Sequence, residues 1–276
     1  MSGLSVSPDQ ASTAVVITPH RLDEALRARA AQPDAAPIQG GTDLMVEMNF
    51  GRRDPAALLD LTRVPELTRW RREGPLLRLG AGVTFAQLER SPFLDMVPAL
   101  AQAARTVGSP QIRNRGTIGG NVATCSPAGD SWPPLIAGLA EIEVASVRGH
   151  RSIPAAEFAL GPKRSALAAD ELVVGVSLPV ATGAQTFMKV GPRNAMVISV
   201  TSLALVIDTH RAEVRAAYGS AGPVVGLVRL PLSEAHLLPD AIAEACAPID
   251  DVRGTAEYRR HALRVLSTRA AERCLT

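Results

Sequence analysis

The 276-residue chain carries 29 Lys and Arg against 27 Asp and Glu, a formal charge of +2, and 46% of its residues are hydrophobic. At roughly 150 residues per domain this supports one large core or two modest ones, which excludes a short peptide or a disordered chain. No segment collects the charge excess and only 3% of residues are aromatic, so neither a nucleic-acid nor an anionic-membrane surface is indicated.

Ala14-Val15-Val16-Ile17 reads as a short strand ending at Thr18-Pro19. Thr18 as cap, Pro19 in the first turn, Asp23 and Glu24 at the positive dipole end, and an apolar face of Leu22, Ala25, Leu26 and Ala30 predict a helix over 19–31. Pro37–Gln39 reads as the next strand, with further strands at Leu58–Leu61, Leu76–Leu79, Ile142–Val147 and Leu172–Leu178. Helices are expected near 84–90, 98–107 and 132–140. Val180–Ala184 has linker character and marks a boundary near 182. Beyond it Phe187–Val190, Ile198–Ile207 and Val214–Tyr218 read as a meander, and Thr255–Cys274 as a closing helix. The chain is thus an α+β protein without internal repeats.

Three glycine-bearing segments follow predicted strands. Gly80-Ala81-Gly82 has Phe85 where a dinucleotide fingerprint needs its third glycine, and reads as a strand-to-helix turn capped by Thr84. In Gln39-Gly40-Gly41-Thr42-Asp43-Leu44 the adjacent glycines let successive N–H groups face one anion, with a plain turn as the alternative; no nucleoside-triphosphate signature follows. The third, Thr117-Ile118-Gly119-Gly120-Asn121, lies in a polar string from Gly108 and is followed by Ser126-Pro127-Ala128-Gly129-Asp130. Two glycine-pair loops suit a long ligand with two phosphates. Asn121 and Asp130 suit sugar or polyol hydroxyls, although Asp130 also suits the N-cap of the helix near Trp132. The cysteines, Cys125, Cys246 and Cys274, are scattered and show no metal-ligand spacing; Cys125 reads as a buried filler. The N-terminus lacks a positive n-region and Ala14–Ile17 is too short for a signal or membrane segment, so the expectation is a cytoplasmic protein.

Taken in order, Gln39–Leu44, Ser109–Thr124, Ser126–Asp130, Phe187–Gly191, Arg193–Met196 and Pro248–Arg260 resemble the FAD-binding medium subunits of the xanthine dehydrogenase and carbon monoxide dehydrogenase group of molybdenum hydroxylases, nearer the xanthine dehydrogenase type. The resemblance implies a two-part FAD-binding fold of the vanillyl-alcohol-oxidase (PCMH) type over residues 1–181, with subdomains of about 1–62 and 63–181, followed by an α+β C-terminal domain over 182–276. It implies that Gln39, Gly40, Gly41, Thr42, Asp43 and Leu44, together with Thr117, Gly119, Gly120 and Asn121, wrap the FAD pyrophosphate. It further implies that Ser126 and Asp130 serve the ribityl side, a main-chain group at Leu172 touches the cofactor, and Lys189 sits beside the ring system. Lys189 gains weight from composition, because it and Lys163 are the only lysines among 29 cations.

On this reading no side chain is catalytic and none binds a metal; noncovalent FAD carries the chemistry. The molybdenum cofactor and [2Fe-2S] clusters belong to large and small partner subunits in a dimer of heterotrimers, and electrons leave to NAD or another acceptor. Arg113 and Arg115 either neutralise phosphate or pair with a partner. Residues 224–247 look short for the family, and three scattered cysteines exclude its branch with a four-iron cluster in this subunit. The competing readings are a flavoprotein subunit of a carbon monoxide or aldehyde dehydrogenase, a stand-alone flavin oxidase or dehydrogenase, and a scaffold without cofactor.

Overall fold

The computed structural model describes residues 14–275; residues 1–13, which the sequence reading includes in the N-terminal part, and Thr276 lie outside the described residues. The chain begins with a three-stranded parallel sheet of β1 (Val15–Ile17), β2 (Ala36–Ile38) and β3 (Ala57–Asp60), ordered β1-β3-β2. The helix joining β1 to β2 spans Leu22–Ala31 rather than 19–31, and Thr18 does not cap it. Carboxylates do that work instead: Glu24 accepts from the His20 N–H at 2.8 Å and Glu66 from the Leu22 N–H at 3.2 Å.

A second, antiparallel sheet follows, built from β4 (Trp70–Glu73), β5 (Leu76–Gly80), β6 (Glu141–Ser146) and β7 (Gly149–Pro154). A small hairpin of β8 (Ala159–Gly161) and β9 (Arg164–Ser165) precedes β10 (Leu172–Pro179), which returns to the middle of the sheet in the order β4-β5-β10-β6-β7. Alternation decides the packing. Leu77 and Leu79 of β5, Ile142 and Val144 of β6, and Val176 and Leu178 of β10 enter one large core with the helices Pro98–Thr106 and Trp132–Ala137.

The C-terminal part is an antiparallel sheet of β11 (Gln185–Val190), β12 (Thr201–Asp208), β13 (Glu213–Gly219) and β14 (Gly226–Pro231), in that order. Both of its faces are covered, which is why β12 is apolar along nearly its whole length. Leu203, Leu205 and Ile207 form a second core with the helices Leu238–Ala245 and Ala256–Leu275. Phe187, Ala204, Val206 and Ala217 on the other face belong to the first core. The stretch 224–247, read from the sequence as short, holds β14, a 3-10 turn at Leu232–Leu237 and the helix Leu238–Ala245.

Polar clamps fix the C-terminal sheet against the rest. Gln102 accepts from the Phe187 N–H at 2.8 Å, and the Arg215 guanidinium donates to the Ala137 carbonyl at 2.7 Å. The long last helix is anchored by Arg259, only 1% exposed, which donates to the carbonyls of Val200 and Ser220 and to Asp251. Burial alone would raise the Asp251 carboxyl, but hydrogen bonds from Arg253 and Arg259 outweigh it and hold it down to about 2. A carboxyl held below its ordinary value adds stability above that value and loses it as pH falls through the depressed one. Unfolding in urea should therefore ease as pH drops from 3.8 toward about 2. Asp251→Asn should flatten that limb and cost about 3 kcal/mol at neutral pH, because Arg259 keeps its charge without a partner.

Candidate functional site

The three glycine-bearing segments converge. Gly40 lies against the backbone of Arg115, where an added Cβ would stand 2.2 Å from the carbonyl oxygen, so only glycine permits this approach. Gly119 is pressed in the same way onto Ala81, at 2.4 Å from its Cβ, and its N–H donates to the Ala81 carbonyl at 2.8 Å. The Gly80-Ala81-Gly82 turn thus supports the other two segments. Its helix, Phe85–Leu88, starts with a capping box between Thr84 and Gln87, as the sequence suggests.

The segment expected as a second glycine loop is helical. Ser109 caps Pro110–Arg115, and Thr117 caps Ile118–Thr124 by accepting from the Gly120 N–H at 3.1 Å. The Asn121 N–H bonds to the Thr117 carbonyl at 3.1 Å. The backbone donors of Gly119, Gly120 and Asn121 are therefore engaged within the protein. The first loop differs: among the described residues the N–H groups of Gly40, Gly41, Thr42, Asp43 and Leu44 have no acceptor, and Gly41 takes a φ of +74°. Five successive amides without an acceptor, next to a glycine at positive φ, are available to an anion, as the nest reading expects.

A chain of side-chain contacts runs from this loop to the C-terminal sheet. Thr124 donates to Asp43 at 3.2 Å, and Ser131 to the Asn121 side-chain carbonyl at 2.6 Å. Asp130, next to Ser131, does not cap the helix Trp132–Ala137. Its carboxylate instead accepts from Thr106 Oγ1 at 3.1 Å and from Lys189 Nζ at 2.5 Å, while the ammonium also donates to the Thr106 carbonyl at 3.3 Å. Both side chains are buried, Lys189 at 8% exposure and Asp130 at 6%. Burial pushes the Asp130 carboxyl up, against the pull of Lys189 and Thr106. Local geometry positions the pair: Gln102 and Thr106 lie one helical turn apart, Phe187 and Lys189 two strand residues apart, so one helix face meets one strand face twice.

Two oxygens here are buried without a hydrogen-bond partner, Gln39 Oε1 and Asp130 Oδ1. Such atoms cost about 1–3 kcal/mol each unless a ligand or water bonds them. Free amides for an anion, an orphan amide oxygen and an orphan carboxylate oxygen beside an ammonium make a donor and acceptor set that fits a phosphate-bearing polyol cofactor.

The remaining expected residues are less engaged. Ser126 Oγ accepts from the Ala128 N–H at 3.3 Å within its own turn. Leu172 is buried at the start of β10, opposite Ala145. Beyond it the register of β10 shifts, and the Val174 carbonyl accepts from the Ala81 N–H at 3.0 Å, tying this strand to the glycine cluster. Arg113 pairs with Glu89 at 2.9 Å and donates to the carbonyls of Val107 and Gly108. Cys125 caps Ile118–Thr124 in the left-handed region with its thiol pushed by burial up to about 11, as an unreactive filler. Lys163, unexplained by sequence, donates to Glu47 at 2.6 Å and fastens the β8–β9 hairpin to the helix Leu44–Asn49. A hollow of about 880 Å³ over β4 to β7 is lined by Arg78, Glu143 and Arg151, which already pair with neighbouring charges, and includes none of the expected site residues.

Residues 10–181 match the family model described as the FAD binding domain in molybdopterin dehydrogenase. The chain belongs to the FAD-binding medium subunits of the molybdenum hydroxylases. It is 33% identical over 259 residues to the nicotine 6-hydroxylase medium subunit of Paenarthrobacter nicotinovorans, covering 88% of this chain and 90% of the relative. It is 36% identical over 226 residues to the nicotinate dehydrogenase FAD-subunit of Eubacterium barkeri, covering 79% and 76%. The structure superposes on carbon monoxide dehydrogenase from Hydrogenophaga pseudoflava with a TM-score of 0.87 at 27% identity, over 95% of this chain and 97% of that one. The chain is therefore an oxidoreductase subunit whose cofactor is FAD, on an α+β fold. Among the described residues no helix is long and apolar enough to cross a membrane.

Asp130→Asn should strand the Lys189 ammonium in the interior and destabilise the chain by about 3 kcal/mol in urea unfolding. Adding Lys189→Met should recover most of that loss, and a non-additive double-mutant cycle is the check.

Proposed function

We propose that this chain is the FAD-binding subunit of a cytoplasmic molybdenum hydroxylase of the xanthine dehydrogenase type. Electrons reach it from the [2Fe-2S] clusters of a small partner subunit and leave to NAD or another acceptor. The substrate is hydroxylated at the molybdenum cofactor of a large partner subunit, and the assembly is a dimer of heterotrimers. The division near residue 182 separates a cofactor-holding part from a smaller part that completes the site with Lys189. Relatives named for nicotine and nicotinate, nitrogen heterocycles like xanthine, favour a nitrogen heterocycle as the substrate of the assembly.

The observation that carries this reading is the run of five free amides at Gly40–Leu44, linked by contacts to the buried Asp130–Lys189 pair. FAD, when bound, supplies the redox chemistry that accepts electrons singly and releases them as hydride or one at a time. The chain's own residues hold and shield. The amides of Gly40 to Leu44 would neutralise the pyrophosphate, and Thr117, Gly119, Gly120 and Asn121 would border it from the neighbouring helix start. Asp130 Oδ1 would accept a ribityl hydroxyl while Oδ2 holds the Lys189 ammonium, and Gln39 Oε1 would take a donor from the same ligand. Ser126 and the main chain at Leu172 border the site. Lys189 sets a fixed positive charge where negative charge accumulates on reduction.

Reconstitution of the purified chain with FAD should give a yellow, noncovalent complex, and Gly40→Ala should lose it. Failure of the wild-type chain to retain any FAD would overturn the reading in favour of a cofactor-free scaffold. Purification from the native source should bring down molybdenum and iron-sulfur chains; an active, solitary flavoprotein would instead support a stand-alone oxidase. The purified assembly, offered nitrogen heterocycles, xanthine, aldehydes and carbon monoxide with NAD or dyes, should turn over a heterocycle.

A further inference from the structure

The C-terminal sheet presents one polar row to the first core. Successive cross-strand rows on that face read Gln185, Val206, Arg215, then Phe187, Ala204, Ala217, then Lys189, Ser202, Gly219. Cross-strand partners project to the same side, so Ser202 shares its face with Lys189. Ser202 is 1% exposed, and its hydroxyl is buried without any hydrogen-bond partner. Alanine fills the equivalent place in the preceding row, at Ala204, with no polar group to satisfy. A hydroxyl one row on costs about 1–3 kcal/mol if nothing bonds it.

The surroundings leave room for that hydroxyl. An added Cβ at Gly219 would stand 2.7 Å from Ser202 Oγ, 3.3 Å from the Pro127 carbonyl oxygen and 3.3 Å from Pro133, so glycine there is what admits the hydroxyl. Gly219 thereby sits against the turn that carries Asp130, whose Oδ1, like Ser202 Oγ, is buried without a partner. Lys189 Nζ donates to Asp130 Oδ2 and to the Thr106 carbonyl, which leaves one of its three hydrogens unassigned. A spare ammonium hydrogen, a spare hydroxyl and a nearby carbonyl are enough polar partners for one internal water.

We propose that Ser202 is a positioning residue for Lys189, joined to its ammonium through a single bound water, and that it fixes the direction in which the ammonium meets the flavin. The second half of this statement rests on the FAD-subunit reading; the first half does not. Ser202 touches neither cofactor nor substrate and acts only through Lys189.

The composition of the chain makes the link measurable, because Lys163 and Lys189 are its only lysines. In the chain labelled with ¹⁵N-lysine and free of FAD, the Lys189 ammonium should give a resolved signal protected from hydrogen exchange, while exposed Lys163 gives none. Ser202→Ala should speed exchange of the Lys189 ammonium by on the order of tenfold, the worth of about one hydrogen bond. Ser202→Thr, which keeps the hydroxyl, should restore the protection. Unchanged exchange in Ser202→Ala, with a rise in unfolding temperature from losing an unsatisfied hydroxyl, would overturn the proposal. In the FAD-loaded chain Ser202→Ala should also shift the flavin midpoint potential. Because the exchange readout needs no cofactor, failure of the chain to bind FAD would sink the functional reading and leave the Ser202 link still decidable.

Discussion

The buried pair of Asp130 and Lys189 is the constraint on which the site depends. One member comes from the turn before the helix Trp132–Ala137, the other from β11, so the contact joins the N-terminal core to the C-terminal sheet. Neither charge is tolerable there alone, because desolvation of one ion in the interior outweighs any packing it makes. The pair therefore requires the two parts of the chain to be docked to ångström accuracy. The Gln102 and Arg215 clamps supply that accuracy on either side. A buried pair of this kind is weak evidence for stability. It leaves one carboxylate oxygen and one ammonium hydrogen without a partner in the protein.

The glycine cluster is the site proposed for the phosphates. Here the useful groups are main-chain N–H donors, and the fold must expose a run of them without losing them to its own hydrogen bonds. Three glycines allow it: Gly40 and Gly119 by close approach to the Arg115 carbonyl and to Ala81, and Gly41 by its positive φ. The division of labour is unequal. The first loop keeps its amides free, while the second segment spends its own on capping and on the Ala81 turn. Across the whole site the protein contributes position and charge and leaves the redox chemistry to the cofactor.

Much of this was legible in the sequence. The strands from β1 to β13 that were read from apolar runs lie within one or two residues of their expected places, except that β12 starts at Thr201 rather than Ile198, because each has both alternation and turn residues at its ends. β4, with Arg71, Arg72 and Glu73 all exposed, carries no such alternation and escaped notice. The string from Gly108 to Asn121 misled through its composition: glycine, serine and proline suggest open loop, yet Ser109-Pro110 and Thr117 are helix starts and two short helices follow them. The cap expected from Thr18 failed because Glu24 and Glu66, one of them distant in sequence, reach the same donors. Lys189 could be singled out by rarity and family pattern, but its pairing with Asp130 could not, since no local signal states which face of β11 meets which helix. Ser202 carried no signal at all; a serine in an apolar strand becomes informative only when its burial and its missing partner are known.

The most direct test is amide hydrogen exchange along the chain with and without FAD. The account predicts that FAD slows exchange sharply at Gly40, Gly41, Thr42, Asp43 and Leu44, whose N–H groups otherwise lack acceptors. It predicts little change at Gly119, Gly120 and Asn121, which are already bonded within the protein. Protection confined to residues outside Gly40–Leu44, or no protection on binding, would contradict it.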